Sequence, residues 1–593
     1  MRRTLVITVS LILSVAASAV PARRGFHPYT QPDGSTLMVC LRGDEFCHWL
    51  EDASGKVLEK AADGFLRPTG RSPMSSGRVT LINQRRSVAR ASASASRHPT
   101  GTKHIPVLLV NFKDVKFTLS DPNGSFDNLL NQRGYSHGGA TGSVADFYYE
   151  NSRGRYLPVF DVYGPVDLPE NMAYYGANDS DGWDVRPEIA LKQAAELLDA
   201  EVDFSIYDSD GDGYVDMTLM YYAGYNEAER GPEDSIWPHQ SNVRSRRYKF
   251  DGVYLSKYFC TSELQGNRGA TMCGPGTTCH EFAHSLGLPD MYDTDYSDNG
   301  KAGGTYTYDV MADGVYNNNG NTPPYFNAEE LLMLGWLDSL RTLPASGSFT
   351  IPEFSSEEPV AYRSPSSTDG EYFVYECRGS SRWDAHIPAP GVIVYHIDKS
   401  SRRISGAGTT AYNLWADWET TNAINANGSH PCGYIIPAGA QNYTPYTNPN
   451  NYYGSGSPTS GLNYSGNKFP FGTGTDTYFP VDWAGQAMPY GFASVKYSSE
   501  AGCAEISMEP SSAGSRYNHI FNPGGGRYVS GEEFALKLIE AAGNAPQAVS
   551  WYFDGEAVTA SSVTLEKGSH TIQARLTFNS GKSQTVLLEI TVD

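Results

Sequence analysis

Basic charge is scarce in this 593-residue chain: 45 Lys and Arg stand against 66 Asp and Glu, a formal net charge of −21. That deficit argues against nucleic acid as a partner, because phosphates are met by clustered Lys and Arg. Long apolar runs are also missing. The nearest approach, Leu5 to Val15, is broken by Thr8, Ser10 and Ser14 and is too short to cross a bilayer comfortably. No later stretch comes close, which argues against integral membrane association. Charged residues make up only 19%, while Gly, Tyr and Asn are frequent, a balance that suits an exported, loop-rich and β-rich protein. The eight cysteines (Cys40, Cys47, Cys260, Cys273, Cys279, Cys377, Cys432 and Cys503) include no Cys-x-x-Cys pair. Cys273 and Cys279 therefore read as structural thiols or a bridge rather than metal ligands. Export permits disulfides, and the spacing leaves their pairing open.

What is present begins with an export signal. Met1-Arg2-Arg3 is a basic n-region, the apolar stretch follows, and Ala17-Ser18-Ala19 is an A-x-A cleavage site, so residues 1–19 are expected to be removed. The location implied is secreted or extracytoplasmic, with release and surface retention both compatible. Residues 20–84 alternate apolar and polar positions between Asp-Gly, Arg-Gly and Ser-Gly turns, as a small β-rich unit would. "RRSVARASASASRHPTG", residues 85–101, has no hydrophobic period and reads as an exposed linker; its arginines suit cleavage by a processing protease. The front unit is then a removable propeptide.

A new domain opens with the continuous apolar run Ile105 to Phe112, a buried strand. Residues 185–200 place Leu191, Ala194, Ala195 and Leu198 on one helical stripe, with Pro187 in the first turn. "VDMTLMYYAG", from Val215, is a further strand, and "AEELLMLGWL" closes the domain as its last helix. Beyond about residue 345 helical signals stop. "EYFVYECR" and "GVIVYHID" read as strands, and residues 441–480 as long loops. From about 512, "AVSWYFDGEAV", "HTIQARLTF" and "TVLLEITVD" suggest an immunoglobulin-like sandwich, though without its Cys…Trp…Cys hallmark.

The chemistry sits in "HEFAHSLGLPD", residues 280–290. On a helix, residues four apart share a face, so His280 and His284 can present two imidazoles to one ion. Glu281, rotated by about 100°, suits a general base acting on metal-bound water. Gly287 allows the helix to end in a sharp turn and Pro289 stops it from resuming, which brings Asp290 round as the next side chain able to ligate. Carboxylate is an acceptable zinc ligand. The whole matches the metzincin pattern HExxHxxGxxH, with Asp in the last place, and Met311 in "TYTYDVMADG" falls where the Met-turn belongs. Asp313 occupies the place of the tyrosine that some such enzymes use, and Tyr316 is off register. His239, His386 and His396 read as packing or hydrogen-bonding residues outside the metal site.

These motifs, with "YDVMADG", "PPYFNAEELLMLGW", "GSVADFYYENSRGRY", "VDFSIYDSDGDGYVD", "SIWPH", "GVIVYHID", "AINANGSHPCGYIIPA" and "GDEF", resemble the immune inhibitor A family of secreted zinc metallopeptidases over roughly 25–510. Cys377 departs from the Asn expected there, far from the chemistry. The resemblance implies a zinc-dependent endopeptidase acting on protein or peptide substrates and made as a zymogen, with His280, His284 and Asp290 as zinc ligands and Glu281 as the base. The expected fold class is α+β and multidomain: signal peptide 1–19, propeptide 20–98, metzincin-like catalytic domain 99–345, β-rich domain 346–510 and immunoglobulin-like sandwich 511–593.

Two further sites are expected. In "DSDGDGYVD", Asp208, Asp210, Asp212 and Asp216, with the carbonyl of Tyr214, match the first half of an EF-hand loop and suggest calcium. Position twelve is Leu219, which excludes a complete EF-hand. In "RGDEFCH", Asp44 and Glu45 are the first latency candidates and Cys47 the second. The rival reading is a secreted adhesion or glycan-binding protein with a structural metal site; the intact Glu281 argues against it, since a closed site has no need of a base.

Overall fold

The computed structural model describes residues 17–592 apart from 46, 71–97, 180–181, 244–247, 295–303, 357–358, 367, 401–403, 406–410, 413–421, 423, 426–430, 437, 439–469, 473–476, 484–487, 511–517, 521–526, 529, 541–544 and 580. Most of the proposed linker and most of the tyrosine-rich loops lie outside the described residues.

The first described element is a short strand, β1 (Ala17–Ala19), followed by a five-stranded antiparallel meander, β2 (His27–Thr30), β3 (Thr36–Asp44), β4 (Cys47–Asp52), β5 (Val57–Lys60) and β6 (Leu66–Pro68). The Asp33-Gly34 and Ser54-Gly55 turns form as expected, with Gly34 and Gly55 at positive φ. Arg42-Gly43 does not turn. β3 runs through it, Gly43 pairs with His48, and the strand ends only at Asp44. Gly43 accommodates φ +107° inside the strand, so the ladder continues where a turn was expected.

The next layer is a six-stranded mixed sheet that includes β7 (Gly101–Asn111), β8 (Tyr156–Asp167), β9 (Thr218–Tyr222) and β10 (His239–Asn242). After the small hairpin β11 (Lys249–Phe250) and β12 (Val253–Tyr254) comes β13 (Lys257–Ser262). The order is β1-β10-β13-β9-β7-β8; β8, β7, β9 and β13 are parallel, while β10 and β1 are antiparallel additions at one edge. The apolar run of β7 is buried on both faces. Ile105, Val107 and Leu109 enter one core, Leu108, Val110 and Phe112 the other. Helices α1 (Pro122–Asn131) and α2 (Val144–Asn151) supply Phe126, Leu129, Leu130, Val144, Phe147 and Tyr148 to the first core. After the single turn α3 (Met172–Gly176), α4 (Pro187–Leu198) covers the second core with Ala190, Leu191, Ala194, Ala195 and Leu198, the stripe its period predicts. α5 (Gly276–Ser285) packs Phe282 and Ala283 onto the first core, and α6 (Ala328–Met333) closes this part of the chain.

Strands Glu371–Arg378 and Gly391–Asp398 follow as neighbours in a second five-stranded sheet. Its residues Tyr372, Val374, Ile393, Tyr395 and Ile397 join the same core as α5, so this β-rich part is continuous with the layer holding the helix. The C-terminal strands have their own core, centred on Ile572, Ala574, Leu576, Leu588 and Ile590. Among the described residues no helix is long and apolar enough to cross a membrane.

Candidate metal centre

α5 carries His280, Glu281 and His284, all three buried. The helix ends at Leu286. Gly287 then takes φ +102°, with open space where a Cβ would stand, so backbone conformation rather than crowding calls for glycine there. The amide of Leu288 returns to the carbonyl of Ala283, and the chain bends to bring Asp290 under the two imidazoles.

The three side chains converge. His280 Nε2 and His284 Nε2 are 3.0 Å apart, and Asp290 Oδ1 lies 3.2 Å and 3.3 Å from them. His280 Nδ1 is 2.7 Å from the carbonyl of Val310 and His284 Nδ1 is 2.8 Å from that of Leu288. A carbonyl only accepts, so each Nδ1 carries the proton and each Nε2 presents a lone pair. Three electron-rich atoms thus face one point, and Asp290 Oδ1 is buried without a hydrogen bond. That convergence suits a cation. Ligands about 2.0–2.1 Å from a tetrahedral ion stand about 3.3 Å from one another, close to the observed spacings. Burial lowers the affinity of His284 for a proton, and the two imidazoles hold the Asp290 carboxyl well below the usual range against its own burial.

Asp290 is steadied by a residue the sequence reading did not single out. Asn422 Oδ1 accepts from the Asp290 amide at 2.7 Å and Asn422 Nδ2 donates to Asp290 Oδ2. Asn425, three residues on, donates from Nδ2 to the carbonyls of Met291 and Gly433 and accepts from the amides of Cys432 and Gly433. Both asparagines belong to the β-rich part: Asn422 immediately precedes the "AINANGSHPCGYIIPA" motif and Asn425 is its third residue. Replacing Asn422 by Ala is expected to weaken metal affinity by about 10–100-fold, the usual cost of losing an outer partner of a ligand; competition against a graded chelator measures it.

Glu281 lies beside this trio. Its Oε1 accepts from the Val20 amide at 2.7 Å. Burial, then the charge of Asp290, push its carboxyl up, and the amides of Val20 and Gln240 oppose them. Met311 is fully buried, its carbonyl accepts from Met291, and the preceding residue, Val310, is the one that holds His280. Tyr316, off register in the sequence, reaches the cleft after all: its hydroxyl donates to the carbonyl of Pro21 at 2.7 Å.

The other expected residues fall as follows. Carboxylate oxygens of Asp208, Asp210 and Asp216 lie within 4.8 Å of one another. Asp212 stands outside that trio, with Oδ1 accepting from the Tyr214 amide. A strand, β9, follows the loop. Asp44 and Glu45 are buried at the β3–β4 connection, and the side chain of Cys47 lies outside the described residues. Cys273 and Cys279 are separate buried thiols, so of the two expectations the thiols hold and the bridge does not. His239 is held by the Trp237 carbonyl and the Tyr258 hydroxyl, and His396 by Glu371 and Tyr434, as expected of structural histidines.

Comparison with known proteins finds metallopeptidases. Residues 121–331 match the model of the "Immune inhibitor A peptidase M6, catalytic domain" family. Over 325 residues the chain is 25% identical to Immune inhibitor A of Bacillus thuringiensis subsp. alesti, covering 47% of this chain and 46% of that protein. It is 26% identical over 217 residues to the pre-pro-metalloprotease PrtV of Vibrio cholerae serotype O1, covering 30% of this chain and 22% of that one. The chain thus spans about half or less of these relatives. The crystal structure of wild-type OgpA from Akkermansia muciniphila aligns at 12% identity with a TM-score of 0.23, over 54% of this chain and 94% of that one, too loosely for any argument.

Proposed function

We propose, for a chain whose residues 121–331 are a catalytic domain of the immune inhibitor A family, a secreted zinc-dependent endopeptidase made as a zymogen. The observation that carries this reading is the convergence of His280, His284 and Asp290 on one point with Glu281 alongside. In this reading the three are the zinc ligands, Glu281 is the base and Met311 the floor beneath the site. Zinc there supplies Lewis acidity, making water acidic near neutral pH and polarising a scissile carbonyl.

The chain's own groups do the rest. The carbonyls of Val310 and Leu288 fix the tautomers of both imidazoles. Asn422 holds Asp290 in register. Glu281 takes a proton from the attacking water and delivers it to the leaving amine. An amide nitrogen 2.7 Å from Glu281 Oε1 supports that delivery, because it stands where a leaving amine must be met. The cleft wall includes β10, whose outer side takes an extended chain as a neighbouring strand, here β1. The test is casein cleavage by the full chain after propeptide removal. Activity should vanish with a chelator and return with zinc; chelator-resistant cleavage contradicts the reading.

Calcium at the Asp208 loop belongs to the same reading. Three convergent carboxylates support it, while amides of Asp212 and Gly213 already bond to Asp208 and compete for its oxygens. Saturating calcium is expected to raise the melting midpoint, with about 2.7 kcal/mol of stabilisation at a hundred times Kd. The gain should be lost in Asp208→Ala, and an equal gain in that variant places the ion elsewhere.

A further inference from the structure

Tyr316 stands on the short helical turns Asp313–Gly320, which are wedged between the Met311 turn and the start of α5. The Gly314 amide donates to the Asp309 carbonyl, and a Cβ at Gly314 would come within 2.3 Å of that oxygen. A Cβ at Gly276, the first residue of α5, would come within 2.2 Å of the Val315 carbonyl oxygen, and one at Gly274 within 2.4 Å of the Gly320 carbonyl oxygen. Backbone rests on backbone on both sides, so Tyr316 is placed by the same elements that place His280 and His284. Its ring packs against Ala228, Trp237 and Val315, and its hydroxyl donates to the Pro21 carbonyl at 2.7 Å. Burial, then the charge of Glu229, push the phenol well above its usual range, which keeps it a donor near neutral pH. Asp313, in the register place two residues past Met311, pairs instead with Arg24 at 2.7 Å.

The main chain in front of Tyr316 gives the register. The Val20 nitrogen is 2.7 Å from Glu281 Oε1, where the base meets a leaving amine. The Val20 carbonyl accepts from Trp237 Nε1 at 3.1 Å, so the Pro21 carbonyl is the second beyond that nitrogen. We infer that Tyr316 is a substrate-binding residue whose hydroxyl donates to the main-chain carbonyl of the second residue beyond the scissile bond. The inference rests on the peptidase reading above and adds the residue that sets the substrate's register on the leaving-group side. Every residue type offers a carbonyl, so this contact fixes where the chain lies and not which side chain follows. Proline is accepted at that place, as Pro21 is, because the contact needs no amide proton from it. What the hydroxyl selects is length. Two residues past the bond suffice to engage it, and a substrate that ends after one forfeits the contact.

The test takes a casein bond that the activated full chain cuts and builds two peptides around it. One ends in an alanine amide as the second residue past the bond. The other carries an ethylamide there, which keeps the Cα and methyl of that alanine and lacks its carboxamide. kcat/KM is measured for both peptides on the activated wild type and on Tyr316→Phe, beside metal content. The wild type should prefer the alanine amide about 5-fold, the order of one neutral hydrogen bond. Tyr316→Phe keeps the ring and should bind zinc as before, lose that factor on the alanine amide, and cleave the ethylamide as the wild type does. A wild type that treats the two peptides alike overturns the inference. So does a variant that slows both equally, which is a structural effect, or one that keeps the full preference. Failure of both short peptides while casein is still cleaved overturns it as well, because two residues past the bond then do not suffice. A wild type that cleaves neither the peptides nor casein sinks the peptidase reading, and the role of Tyr316 with it; casein cleavage tells that failure from the others.

Discussion

Replacing Glu281 by Gln is expected to lower peptide-bond cleavage by about 10²–10⁴-fold, the range a positioned acid–base group supplies, while leaving bound zinc unchanged. The split between the two readouts follows from geometry. Glu281 is one residue along α5 from His280, so its side chain points to the flank of the imidazole pair instead of joining it. The amide keeps the size and one acceptor oxygen of the carboxylate and loses the ability to take up a proton. Activity measured on activated protein, beside metal content, checks both halves. Full activity removes Glu281 from its role; loss of zinc as well makes it part of the metal cage.

The second large effect concerns stability. Arg378 is fully buried, in the β-rich part, and its guanidinium is fully engaged. Nε donates to Asp384 Oδ2 at 2.8 Å, Nη1 to Glu376 Oε1 and the Tyr308 carbonyl, and Nη2 to Asp384 and the Tyr325 carbonyl. Tyr308 lies just before Met311, so this one side chain ties the β-rich sheet to the turn beneath the metal centre. Burial works against the charge of Arg378, but Asp384 and Glu376 outweigh it and keep the guanidinium protonated. Removing it strands two buried carboxylates. Arg378→Met should therefore cost about 3–5 kcal/mol, the range for breaking a buried pair from one side. Denaturant unfolding followed near the metal centre reads this out. A cost below about 1 kcal/mol would mean the network is solvated in solution.

The local part of the centre was legible in the sequence. His280, His284 and Glu281 follow from helical spacing, and Gly287 and Pro289 from the rules for ending a helix; these depend on neighbours in the chain. The stripe of α4 and the buried run of β7 were readable for the same reason. What escaped was non-local. Asn422 is 132 residues from Asp290, and Val20 is 261 from Glu281. Nothing in the periodicity of either segment says which distant carboxylate it will meet. Tyr316 is out of register with Met311 in the sequence, yet the short helical turns of Asp313–Gly320 carry its hydroxyl to Pro21. Arg42-Gly43 looked like a turn because the dipeptide often is one; cross-strand pairing with β4 decided otherwise. The β-rich part also packs closer to the candidate metal centre than a boundary at residue 345 suggests, since Asn422, Asn425 and Arg378 bond to Asp290, Met291 and Tyr308.

The central claim is that two imidazoles and one carboxylate share an ion. Zinc-edge X-ray absorption on the purified, activated chain tests it directly. The account predicts one zinc per chain, bound by two imidazole nitrogens and by oxygen at about 2.0–2.2 Å, with the signal altered in Asp290→Ala. Sulfur at about 2.3 Å, or a spectrum that Asp290→Ala leaves unchanged, would contradict it.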